Sequence, residues 1–324
     1  MGHRAALVAL AITLVVASPA RARETVDRPD DHPRADQIHV MYVVPSDGAD
    51  GGIDQDGTLA GSVASWQAWL RDQTGGHGLV LDTFGGALDV TFVRLDTSEE
   101  QVASNGVFAR DEIERQLRAL GFDAPNKVYA VYYDGVVRAN TCGGGAWPPT
   151  LPGSVAALYL QGELPPQYPQ CNTNPFAGPT DPPGYMEYAM LHEILHTMGF
   201  VPECAPHHAR SGHTSDSPTD ILYAGDEPWT PQSLDVGHDD YFDTGRSDCL
   251  DLASSSFLEG NPSRACVATR ANVAHDRGRV RRTRAALKAA RGRRARTRAR
   301  KRLAKEQRRI RRDRQMAARL CPPA

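Results

Sequence analysis

The chain has 324 residues, 40% hydrophobic and 23% charged, enough apolar material for a packed core and enough length for about two domains. Its net charge of −2 hides a split: residues 264–324 hold 23 Lys+Arg against 3 Asp+Glu, a net of +20, and the rest of the chain carries −22. This excludes a uniform nucleic-acid-binding protein, because a body so acidic repels phosphate.

His3 and Arg4 precede an apolar run, Ala5 to Ala17, that is too short to span a bilayer. Ala20-Arg21-Ala22 follows as a small-x-small cleavage signature, so residues 1–22 are expected to be a secretory signal peptide. No other apolar stretch reaches membrane length, and the protein is expected outside the cell or on the cell wall. Export makes the six cysteines disulfide candidates, and no C-x-x-C pair is present to suggest a cysteine zinc or redox site. Sequence order and domain limits suggest Cys142–Cys171, Cys204–Cys249 and Cys266–Cys321.

Residues 23–37 read as a flexible polar leader. Ile38–Val44 is an apolar strand stopped by Pro45. Asp47, Asp50, Asp54 and Asp56 then crowd a Gly-rich loop; they are a weak Ca²⁺ candidate without EF-hand spacing, and a solvated turn is the simpler reading. Val63, Trp66, Trp69 and Leu70 recur at helical spacing. Leu79–Phe84 and Leu88–Leu95 flank Gly85-Gly86 as a hairpin. Phe108, Ile113, Leu117 and Leu120 mark a helix ended by Gly121. Val128–Tyr133 and Val155–Leu160 are strands, separated by a Gly/Pro-rich stretch around Cys142; a Pro-rich loop follows at 161–184.

The next segment carries the chemistry. Residues 192–196 read His192-Glu193-Ile194-Leu195-His196. On a helix, the two histidines lie one turn apart on one face and can share Zn²⁺, with Glu193 beside the metal's water. Neutral imidazoles hold zinc without quenching its charge, zinc acidifies the water, and a carboxylate accepts the proton. Met186, Met190, Leu191, Ile194 and Leu195 make this a core helix, where two histidines need partners.

Extended to Gly199, the run His-Glu-Ile-Leu-His-Thr-Met-Gly resembles the metzincin clan of zinc endopeptidases. The clan places a third histidine soon after the glycine and a methionine turn under the metal. Here Pro202 stands at the usual position of the third histidine. His213 to Tyr223 resembles the later clan segment, with Leu222 at the methionine position. His213 is the first choice for third ligand and His208 the second, with His207 also open. Asp220 is another option, because Asp220-Ile221-Leu222-Tyr223 looks like the aspartate segment of the aspzincin peptidases. By resemblance Tyr223 would donate a hydrogen bond to the oxyanion, with Glu193 acting as the general base. His238 lies in a polar loop and reads as solvated.

The resemblance implies an α+β domain over residues 38–262: a metzincin-like mixed twisted sheet with an active-site helix and an edge strand that binds substrate by strand addition. Val155–Leu160 is the expected edge. Beyond it, residues 263–324 place Val273, Val280 and Leu287 seven apart, then Leu303, Ile310 and Ala317 likewise, with Gly292 between the sets. That spacing suggests an Arg-rich helical hairpin closed by Cys266 and Cys321. Its expected partners are anionic envelope polymers or the acidic body itself. The expected function is a secreted zinc endopeptidase acting on protein or peptide substrates. The alternatives are a non-catalytic zinc protein held to the envelope by its tail, and a zinc amidase acting on cell-wall peptides.

Overall fold

The structure, a computed structural model, describes residues 23–148 and 154–321. The expected signal segment 1–22 lies outside the described residues. The body is α+β. Its elements run β1 (Gln37–Val44), α1 (Thr58–Gln73), β2 (Thr83–Phe84), β3 (Ala87–Leu88), β4 (Val90–Arg94), α2 (Glu99–Ala103), α3 (Ala109–Ala119), β5 (Lys127–Val137), β6 (Gly143–Gly144), β7 (Val155–Gly162), α4 (Tyr185–Thr197), β8 (His208–Ala209) and β9 (His213–Thr214). Two long helices follow, α5 (Arg264–Ala289) and α6 (Arg293–Leu320).

A mixed five-stranded sheet in the order β4-β1-β5-β7-β6 organises the body. Its first four strands are parallel, and β6 closes the edge antiparallel to β7. Parallel strands are covered on both faces, so they read as continuous apolar runs rather than alternations. Val40, Tyr42, Ala130, Tyr132, Ala156 and Leu158 form one core with α1 and α4. Met41, Val43, Val131, Tyr133 and Ala157 form the other with Val102, Ile113 and Leu117 of α2 and α3. The motif helix α4 thus packs on the sheet beside α1.

Several expectations need adjustment. β7 is not the sheet edge; it has β5 on one side and β6 on the other. The edge strand is only two glycines long and has no apolar pattern to reveal it. Gly85-Gly86 does turn a hairpin, but its strands are two residues each, and β4 leaves it to join β1. Phe108 belongs to a short 3-10 turn before α3 and is exposed.

Residues 23–36 are packed onto the body rather than loose. Arg23 reaches Asp54 (Nε–Oδ2 2.7 Å) and Asp50 (Nη2–Oδ1 3.0 Å), and its guanidinium lies 3.4 Å from the centre of the Phe92 ring. Asp47 accepts the Glu99 N–H and Asp56 the Thr58 N–H. The four carboxylates considered for Ca²⁺ are therefore each engaged by a protein donor. Lys127, on the central strand β5, meets Asp27, Asp30 and Asp82, each at 2.6 Å. Asp82 is fully buried and also contacts His39 at 2.6 Å, while His39 Nε2 meets Thr91 at 2.9 Å.

The three disulfides match the expected pairs: Cys142–Cys171, Cys204–Cys249 and Cys266–Cys321. Bridges of this kind are typical of extracellular proteins, and no helix among the described residues is long and apolar enough to cross a membrane. α5 and α6 form the expected hairpin, joined at its open end by the third bridge. Val273, Val280 and Ile310 are buried between them. Arg264, at the base of α5, pairs with Asp36 and donates to the Pro125 carbonyl.

Lys127 generates a stability prediction. Burial alone would lower its pKa, but hydrogen bonds with Asp27, Asp30 and Asp82 outweigh it and the net shift is upward. Burial alone would raise Asp82, but His39 and Lys127 outweigh it and the net shift is downward. The lysine's contribution is therefore complete below its ordinary pKa of ~10.5 and lost as pH rises through the raised value. The aspartate's is present above ~3.8 and lost as pH falls through the depressed value. Lys127→Met, which strands three carboxylates, is expected to cost ~3–5 kcal/mol in denaturant unfolding at neutral pH. A loss below ~1 kcal/mol would show that the cluster is effectively solvated.

Candidate metal centre

α4 starts where Glu187, fully buried, accepts the Gly184 N–H at 3.0 Å, the Ala177 N–H at 3.1 Å and the Ser62 hydroxyl at 2.7 Å. It stops at Gly199, whose φ of +90° suits a residue without Cβ. Val201 follows with φ +57°, an uncommon conformation for a β-branched residue. The chain thus turns sharply away at Pro202, and no ligand comes from that position.

The third imidazole arrives eleven residues later. His213, on β9, faces the motif helix with its Nε2 2.9 Å from that of His196. His192, His196 and His213 each offer a nitrogen within 4.8 Å of the others, so the three histidines form a group able to hold a metal ion. The remaining options point elsewhere. His207 contacts Asp240, and the His208 Nδ1 meets the Val201 carbonyl at 2.8 Å. Asp220 is buried and occupied: it accepts Leu222 N–H at 2.7 Å, Val236 N–H at 3.1 Å and the Tyr241 hydroxyl at 3.0 Å. Burial pushes its pKa up to about 7.

Two backbone carbonyls set the tautomers. His192 Nδ1 donates to the Ile221 carbonyl at 2.6 Å and His213 Nδ1 to the Arg210 carbonyl at 3.0 Å. A carbonyl only accepts, so each Nδ1 carries the proton and each Nε2 of the neutral ring is left with its lone pair. Burial, with the neighbouring histidines, lowers His192 to about 3 and His196 well below the ordinary range; burial also lowers His213. The donor chemistry fits a divalent ion of the zinc type, for which neutral imidazole is a standard ligand.

Glu193 is buried beside this group. Its carboxylate lies so close to Gly143 that a Cβ there would stand 2.4 Å from Oε1. At Gly145 a Cβ would meet His196 Cβ at 2.6 Å. The Gly143-Gly144-Gly145 run therefore lets the edge strand pass directly against the catalytic candidate. Burial raises Glu193 to about 8, opposed by Arg110 and the Gly145 N–H.

Sequence reasoning missed these glycines, and it missed two tryptophans. Trp147 lies edge-on to His196, 6.1 Å between ring centres, and Trp229 edge-on to His192 at 5.7 Å. Only their placement after folding distinguishes them from core aromatics. Tyr223 is turned to its own loop: its hydroxyl accepts the Glu227 N–H at 3.2 Å and packs over Gly225. His238 is exposed, as expected.

Comparison with known proteins assigns no family: no family model matches the chain, and no curated protein matches its sequence.

The three-histidine group predicts a ligand order. His213→Ala should weaken metal binding beyond the ~10–100-fold typical of an outer-shell change, while His208→Ala and His207→Ala stay near wild type. Competition against a chromophoric chelator measures this. Equal losses for His208→Ala and His213→Ala would remove His213 from its assigned role.

Proposed function

We propose that the protein is a secreted zinc-dependent endopeptidase of metzincin-like design. The observation that carries this reading is the convergence of His192, His196 and His213 with Glu193 alongside, next to a side-chain-free sheet edge. His192 and His196 would hold the metal from α4, and His213 from β9. When bound, zinc supplies Lewis acidity that polarises a carbonyl and acidifies a water. Glu193 takes the water's proton and delivers it to the leaving amine. A neighbouring dication favours its ionised form, offsetting the burial that raises it.

β6 supports an extended peptide as substrate. It is the last strand of the sheet, and an edge strand recognises another chain through backbone hydrogen bonds. Trp147, exposed beside His196, offers an apolar wall to a substrate side chain. Tyr223 is not assigned the oxyanion role, since its hydroxyl is directed to the 224–227 turn. The same chemistry would cleave cell-wall peptides, and the substrate library below separates that amidase reading from a general endopeptidase. We assign the +20 tail to retention on anionic envelope polymers, with Arg277, Arg281, Arg284, Arg311 and Arg314 along one groove between the helices.

Glu193→Gln should retain the metal and lose ~10²–10⁴-fold in peptide hydrolysis, since the amide cannot accept the proton. Assays on a library of proteins, linear peptides and wall-derived peptides measure it. Equal rates for variant and wild type exclude Glu193 as the base; no hydrolysis by either, with metal bound, favours the non-catalytic reading.

A chain ending at Pro262 should keep its metal and any hydrolysis but elute from an anionic polymer at lower salt than the full chain. Screening acts over ~8 Å at physiological ionic strength, so retention by exposed arginines must be salt-sensitive. Identical elution would mean that the tail is not the anchor.

A further inference from the structure

A second cluster lies in the loop after β9. Asp235, Asp239 and Asp240 each offer a carboxylate oxygen within 4.8 Å of the other two. Asp235 and Asp240 are each only 1% exposed. Asp235 uses Oδ2 to accept the Tyr241 and Phe242 N–H groups at 2.8 and 2.7 Å, and its Oδ1 is buried with no hydrogen-bond partner. Asp239 Oδ1 is likewise buried without a hydrogen bond. The nearest cationic candidate is His207, whose Nδ1 is 3.1 Å from Asp240 Oδ2 and 3.8 Å from Asp239 Oδ1. One imidazole at the rim does not balance three carboxylates, and Asp235 keeps its orphaned oxygen.

We propose that Asp235, Asp239 and Asp240 form a calcium site, separate from the three-histidine group. The donors are all oxygen, which selects a hard cation over zinc. Three carboxylate oxygens that all lie within 4.8 Å of one another can reach a single ion at about 2.4 Å each. An irregular loop with three carboxylates suits calcium's flexible coordination better than magnesium's strict octahedron. Burial, together with the charges of Asp240 and Asp239, raises Asp235 to about 6, a cost that a bound dication removes.

The site would brace the metal centre. Val236 N–H, just after the first of these aspartates, and Tyr241 OH, just after the last, both donate to Asp220. Asp220 in turn holds the turn whose Ile221 carbonyl orients His192. Calcium at 235–240 therefore stiffens the support of the first histidine without touching it.

The test is calorimetric titration of CaCl₂ into the full chain with zinc held constant, paired with thermal melts. One calcium per chain is expected, with a Kd of ~10⁻⁴–10⁻³ M and a Tm rise of ~4 °C at about 10 mM CaCl₂. MgCl₂ should give a smaller rise. Asp239→Asn, at a half-exposed position that tolerates substitution, should weaken calcium at least ~10-fold and leave the calcium-free Tm unchanged. Asp50→Asn, in the other acidic loop, should leave calcium binding intact. No calcium-dependent heat or Tm shift in the wild type overturns the proposal. So does an equal response to magnesium, or wild-type calcium affinity in Asp239→Asn.

Discussion

The candidate metal centre depends on one buried carboxylate. From Gly199 to Leu258 the chain has little regular structure: two strands of two residues and a single 3-10 turn. Such a segment satisfies its backbone through turns, isolated bridges and side chains rather than long ladders. Asp220 adds a side-chain anchor at the centre, gathering an N–H group of its own turn and an N–H group and a tyrosine hydroxyl of the 236–241 loop. The Cys204–Cys249 bridge closes the same segment from outside. Only because this turn is held does the Ile221 carbonyl meet His192, and only then does that ring present Nε2 toward the other two. The burial that raises Asp220 is a cost borne at the point where its own turn and the 236–241 loop must agree.

The opposite wall is built by omission of side chains. Cys142–Cys171 ties the start of β6 to the Pro-rich loop, and the Tyr159 N–H bonds the Cys142 carbonyl at 2.7 Å. Between that anchor and Trp147, three glycines run past Glu193 and His196. Any side chain at Gly145 would meet His196 at its own Cβ, which cannot swing aside as a long side chain could. A backbone this close, on the last strand of the sheet, forms one wall of the candidate site.

Much of this was legible in sequence where local periodicity and physics coincide. The His-x-x-x-His spacing depends only on helical geometry, and Gly199 only on the need to end the helix. The cysteine pairs follow chain order because each bridge closes one local unit. The alternatives for third ligand were not separable, because His207, His208 and His213 lie on or beside a hairpin of two-residue strands whose position is set by long-range contacts. Asp220 resembled a ligand because its burial, and not its type, decides its role. The leader looked loose because polar residues with prolines carry no apolar signal. Its order comes from charges such as Lys127 and Asp89 placed 61 or more residues away. The edge strand had no pattern at all, since glycine has no side chain to alternate.

The C-terminal hairpin is stabilised differently from the body. Its apolar seam is thin: Val273, Val280 and Ile310 are buried, while Leu287, Leu303 and Ala317 are only half-covered. Two acids are buried in it instead. Asp276 meets Arg309 at 2.9 Å, and Glu306 meets Arg302 at 3.1 Å and Arg279 at 3.7 Å. Pairs of this kind offset their own desolvation and add little net stability. The bridge between Cys266 and Cys321, 55 residues apart in sequence, contributes about 4 kcal/mol by restricting the unfolded chain. The segment 264–324 carries a net +20 and repels itself, and closure by a covalent bond opposes that repulsion where three buried apolar side chains and two buried acids are the main non-covalent links.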